Sequence, residues 1–227
     1  SKLDGRSYQT KASNTVNKLF SSTAQRFVIL LAFTGLLSAC DRILTPDFET
    51  DIQELGSGNY TLDPDHATLL FKINHLGFSS FIGRFNDFDA ALDFDPENIG
   101  NSSLEVIVDT ASIDINNPEF AEELRGASWF NTEAFPQAVF RTTSLIAQND
   151  NNFTFEGDLT LLGTTAPIQI EVDFHGGGRN FLTRKNTLGF SAKVEFQRSV
   201  FGLDNLVPFG VGDDIELEIH VEFQEAS

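Results

Sequence analysis

The sequence is short of cysteine, of basic residues and of long apolar runs. Cys40 is the one thiol among 227 residues, so neither an intrachain disulfide framework nor a cysteine-built metal site can form. Lys and Arg total 15 against 33 Asp and Glu, a formal charge of −18. A surface that acidic repels phosphate backbones, which argues against nucleic acid as a partner and for simple solubility. The apolar run Phe27 to Leu37 (FVILLAFTGLL) is too short to span a bilayer comfortably. Self-similarity at periods of roughly 20 to 50 residues is missing, which removes the solenoid architectures. So are a G-x-S-x-G elbow for a serine nucleophile and a glycine loop that follows a strand and opens a helix to cradle phosphate. What is abundant is phenylalanine: 23 Phe and 41% hydrophobic residues describe a filled globular interior, since disordered chains are poor in aromatics.

The charge is unevenly divided. Residues 1–39 carry Lys2, Arg6, Lys11, Lys18 and Arg26 against Asp4, a net +4, and the remainder stands at −22. Basic residues, an apolar run, then small Ser38 and Ala39 form the order of a secretory leader. The run Leu37-Ser38-Ala39-Cys40 resembles the lipobox of bacterial lipoproteins, in which the preceding peptide is removed and the cysteine is lipid-modified. The expectation is a leader over 1–39, lipidation at Cys40, and a membrane-anchored lipoprotein facing the periplasm in the bacterial cell envelope. A buried core cysteine in an apolar helix is the competing reading, and the secretory flanks disfavour it. The stretch from Asp41 to Gly58 is acidic and ends in Gly-Ser-Gly, as a tether would. A single folded domain is expected over 59–227.

Within that domain apolar residues recur with period two, the signature of strands with one buried face. The runs are Ala67 to His75, Phe88 to Phe94, Leu104 to Val108, Phe153 to Leu161, Ile168 to Phe174, Leu188 to Phe196 and Ile215 to Phe223. Turn-forming residues separate them at Asp95 to Gly100, Asn149 to Asn152, Gly163-Thr164, Gly176 to Gly178 and Gly210 to Asp214. One short helix interrupts the series, with Asn117 as N-cap, Pro118 at the first helical position and Gly126 as stop. An all-β antiparallel sandwich or closed barrel of about eight strands follows. A small barrel is either filled by its own side chains or holds one ligand, and periodicity leaves both open.

Polar chemistry is sparse on the apolar faces. His66 and His75 are nine apart, so on one unbroken strand they face opposite sides and make a poor ligand pair. His175 and His220 share parity with Gln169, Glu171 and Asp173 and with Glu216, Glu218 and Glu222, which places them outward. Asp87, Asp89, Asp93 and Asp95 share one face, as a solvated surface would. His75 and Arg198 fall on apolar stripes instead. Each is a candidate contact for the polar head of a ligand at a barrel mouth; the competing reading is internal pairing with carboxylates or carbonyls.

The ordered set of motifs resembles the YceI-like family of polyisoprenoid-binding envelope proteins. It opens with Tyr60-Thr61-Leu62-Asp63, His66, Phe71, His75-Leu76-Gly77, Ser79 and Gly83-Arg84-Phe85. It continues through Leu124-Arg125, Phe130, Phe135-Pro136, Phe140, Gly157-Asp158-Leu159-Thr160-Leu161, Gly163, Thr165 and Pro167. Gly189-Phe190-Ser191-Ala192, Arg198-Ser199, Phe201-Gly202 and Val211-Gly212-Asp213 complete it. The resemblance implies a lipocalin-like, eight-stranded antiparallel barrel around an apolar channel for a quinone tail or prenyl chain, with no catalysis and no cofactor beyond that ligand. Phe71, Phe85, Phe155, Phe190 and Phe196 are the expected lining; His75, Arg125 and Arg198 are the expected mouth contacts. The chain departs from the family pattern at Gly126, at Ser128-Trp129-Phe130 and at Val200, near the helix and the last long loop, which bears on headgroup selectivity more than on fold. Isoprenoid lipid or quinone, the membrane through Cys40, and a homodimer are the partners to be tested. A solid-core structural barrel, or an enzyme acting on a lipid or quinone, are the alternatives.

Overall fold

The computed structural model describes residues 47–207 and 209–226; Cys40 and the leader lie outside the described residues. Eleven strands are formed: β1 (Asp47–Glu49), β2 (Gly58–His75), β3 (Ser79–Phe85), β4 (Phe88–Phe94), β5 (Ser103–Asp109), β6 (Ile113–Ile115), β7 (Gln137–Asn149), β8 (Asn152–Leu161), β9 (Thr164–Arg179), β10 (Asn186–Gln197) and β11 (Val211–Glu225). Each pairs antiparallel with its neighbours in the order β11-β10-β9-β8-β7-β5-β4-β2, and β11 pairs with β2 to close the ring. β3 and β6 extend β4 and β5: β2 meets β4 at its start and β3 at its end, and β3 in turn meets β6. The product is the eight-stranded antiparallel barrel with one helix. Closure leaves no long edge open for association.

The alternating runs face inward as their period requires, and the core is built from them. At the end where β2 begins, Tyr60, Leu62, Phe94, Ile99, Phe153, Phe174, Leu188 and Phe223 are buried together. Gly157 of β8 is needed for close approach: a Cβ there would collide with the Phe140 ring and the Arg141 carbonyl. Helix α1 (Pro118–Arg125) starts as its sequence directs, with the Asn117 side chain accepting from the Phe120 amide at 3.1 Å and Pro118 at the first position. Its buried Ala121 and Leu124 pack on Ile113 and Ile115 of β6.

Three expectations are corrected. The acidic segment before Gly58 is not wholly a tether, because residues 47–55 belong to the fold. β1 pairs with β9 through Asp47 and Arg179, and Ile52, only 6% exposed, joins the core at the closed end. Gly176, Gly177 and Gly178 lie in β9 rather than in a turn. The Phe48 ring occupies the space above Gly176, and Leu55 and Leu188 crowd Gly177, so the glycines make room for the incoming segment. Gly212, Asp213 and Asp214, read as part of a turn, lie in β11 beside a break in its register with β2.

Candidate functional site

The barrel interior holds two cavities. The larger, about 470 Å³, lies at the end bearing the β2–β3 turn, α1 and the loop between β10 and β11. The smaller, about 110 Å³, lies toward the closed end, and Leu69 stands on the wall of both. Phe71 and Phe85 of the β2–β3 hairpin and Phe196 of β10 line the larger; Phe155 and Phe190 line the smaller. The upper wall is aromatic. Phe71 and Phe85 rings are 5.8 Å apart, Phe85 meets Phe130 edge-on at 5.8 Å, and Phe120 meets Trp129 edge-on at 6.0 Å. Such edge contacts fix ring orientation beyond simple burial.

Three polar side chains lie on the larger cavity's wall: Thr110, His75 and Arg198. Thr110 Oγ1 donates to the Phe135 carbonyl at 2.7 Å, which removes it from the interior's chemistry. Arg198, 3% exposed, donates from Nε to Gly212 O at 2.8 Å, and its terminal nitrogens donate to the carbonyls of Leu203, Asn205 and Val211. Burial pulls its pKa below the ordinary value, with Asp213 and Asp204 opposing that shift. Of the two readings of Arg198, the structure shows the internal pairing: four of its five N–H donors hold the loop between β10 and β11 in place.

The expected mouth contact at Arg125 is corrected, for Arg125 reaches neither cavity wall. Its Nε donates to Ala111 O and a terminal nitrogen to Ile113 O, both at 2.8 Å, and the other pairs with Glu122 at 3.0 Å. It lashes α1 to the β5–β6 junction. His75 alone among the expected mouth contacts keeps its ring uncommitted, with no side-chain hydrogen bond among the described residues, and it is exposed at the rim. Among the lining residues that sequence reasoning missed are Phe81, Phe120 and Leu206 on the same wall. Phe81 sits on β3, two residues before Gly83 and four before Phe85, so continuing the alternation backward from Phe85 would have found it.

Outside the barrel, Asp63, His66 and Glu222 come together closely enough to consider a metal. His66 Nδ1 lies 3.0 Å from Asp63 Oδ2 and 3.9 Å from Glu222, and Gln224 also donates to Asp63 Oδ2. Burial opposes the charged form of Asp63, yet bonds from His66, the Asp65 amide and Gln224 outweigh it and hold the carboxyl below its usual range. The same bond to Asp63, helped by Glu222, raises His66. The cluster sits where the register of β2 against β11 shifts between Leu62 and Ala67. His66 lies outside and His75 on the cavity wall, so the two face opposite sides and form no ligand pair, as their nine-residue spacing implies. The donors already on Asp63 make the cluster a staple for the bulge.

Residues 60–223 match the YceI-like domain family. The chain belongs to that family. A UPF0312 protein of Vibrio cholerae serotype O1 is 34% identical over 168 residues, covering 73% of this chain and 87% of the relative. Among solved structures, the YceI protein of Campylobacter jejuni aligns with TM-score 0.60 at 27% identity, over 69% of this chain and 91% of that one. A polyisoprenoid binding domain from Saccharophagus degradans aligns with TM-score 0.54 at 12% identity, over 75% of this chain and all of its own; that likeness is one of fold. The same barrel fold is thus found in proteins at 27% and 12% identity to this chain.

Proposed function

We propose that this YceI-like protein binds one long apolar chain of the isoprenoid type, a quinone or a polyprenyl lipid, inside the barrel, and stores or carries it in the bacterial envelope. The observation that carries the reading is an interior cavity of about 470 Å³ whose wall is apolar apart from His75, Thr110 and Arg198, within the ~300–1,000 Å³ of small-molecule sites. Thr110 and Arg198 spend their donors on backbone carbonyls. What remains is apolar surface to take a chain, at about 25 cal/mol per Å² buried, and His75 at the rim to meet a polar head. The S. degradans domain's description as polyisoprenoid binding supports the same ligand class. The reading is binding without chemistry, and a solid-core barrel is disfavoured by the open space at its upper end. Lipidation of Cys40, following Leu37-Ser38-Ala39, would tie the barrel to a membrane.

The test is to fill the cavity without charging it. Leu217 lines its wall from β11, and Leu217→Trp places an indole in the space a prenyl tail would take. A folded variant should lose most quinone uptake from a detergent-solubilised stock. Undiminished uptake would refute binding in this cavity.

A further inference from the structure

The mouth of the larger cavity is framed by two loops that expose large apolar side chains. The β2–β3 turn exposes Leu76 (53%) and Phe78 (88%), and the loop before β11 exposes Leu206 (54%) and Phe209 (86%). The loops touch: the Leu76 amide donates to Gly210 O at 2.7 Å, and Leu206 also lines the cavity. Leu76 and Leu206 both adopt left-handed backbone, with φ of 55° and 62°, a conformation disfavoured for large side chains. The backbone is thus held in a costly conformation at two positions whose apolar side chains face water. Residues 74–82 and 205–212 contain no Asp or Glu, in a chain that has 33.

We infer that this uncharged apolar tip inserts into the interface of a lipid bilayer and takes up ligand there, an inference that rests on the proposed binding of an isoprenoid chain. Exposed apolar clusters of this kind mark interaction sites, and two properties select a bilayer as the occupant. The tip is continuous with the cavity mouth, so a chain passing from bilayer to barrel keeps its methylenes out of water throughout. It also lacks carboxylates, which a low-dielectric surface penalises, while the acidic remainder of the chain favours neutral over anionic headgroups. The described chain enters the barrel at the far end, where Phe48 of β1 pairs with Gly178 of β9.

The experiment uses the full chain with Cys40→Ser, so that no lipid is attached and a new cysteine is unique. Phe78→Cys at the tip and Leu182→Cys in the exposed turn at the far end are each labelled with an environment-sensitive fluorophore and mixed with phosphatidylcholine vesicles. The tip label should brighten several-fold and be quenched by brominated acyl chains, the far label much less. Adding anionic lipid should weaken the response. Equal responses at both sites, no response at either, or a vesicle-independent response that grows with protein concentration, as in a homodimer, would overturn the inference. Solvent extracts of the same samples are analysed for prenyl lipid by mass spectrometry. A loaded barrel with a silent tip sinks the docking surface alone, whereas a responding tip on a barrel that never takes up prenyl lipid sinks the ligand.

Discussion

Arg198 separates two accounts of this barrel. If it meets a ligand's head, replacing it leaves the fold intact and costs affinity; if it holds the loop, replacement costs stability. The geometry favours the second. Arg198→Leu strips donors from four carbonyls, of which Leu203 O lies in a buried bond and those of Gly212, Asn205 and Val211 in partly buried ones. A buried acceptor left unmade costs about 1–3 kcal/mol, and three that water can partly satisfy add about 0.5–1 kcal/mol each. Relief from burying a cation offsets some of this, for a net loss of about 2–4 kcal/mol. In urea, with a slope of about 2 kcal/mol per M, the midpoint should fall by about 1–2 M. Arg198→Lys keeps the charge but offers three donors from one point rather than a planar fork, so it should lie between the two. A Leu variant with the wild-type midpoint and selective loss of prenyl lipid would refute the clamp and restore the headgroup role.

Two further outcomes follow from the same contacts. Ile52→Ala should destabilise the barrel by about 2–3 kcal/mol, toward the lower end for a buried aliphatic truncation because Ile52 borders the smaller cavity; an unchanged urea midpoint would return residues 47–55 to the status of a tether. The Asp63–His66 staple makes stability depend on pH in two directions. His66 is raised from 6.5, so its contribution is full below that value and fades as pH rises through the folded pKa; Asp63 is lowered from 3.8, so its contribution is full above that value and fades as pH falls. His66→Gln should flatten the alkaline limb of thermal melts taken between these limits and above, and an unaltered limb would assign it to other groups.

Much of this architecture was legible because one face of each strand is buried along its length. The runs on β8, β9, β10 and β11 keep strict alternation, and the helix carries its cap, proline and stop in the sequence itself. β7 was not legible. Its register against β8 shifts between Thr142 and Ser144 and again between Leu145 and Ala147, and each bulge flips the parity on which the reading depends. Ile52 was hidden in the same way by its acidic neighbours, since a lone apolar residue has no period. At the site, parity put Phe71 and Phe196 on the inward face, and the family resemblance is what made that face a channel lining. Parity says only that a cation points inward, however, and cannot see backbone carbonyls. Arg198 was placed on the right face with headgroup contact and internal pairing both left open, and Arg125 is spent on carbonyls that belong to no motif.

The most direct test of the central claim is mass spectrometry of the solvent extract from the purified protein, set beside native mass spectrometry of the same sample. One prenyl-chain lipid per barrel, lost in Leu217→Trp, is the predicted result. A folded barrel that stays empty, even after incubation with quinones and prenyl phosphates, would contradict it.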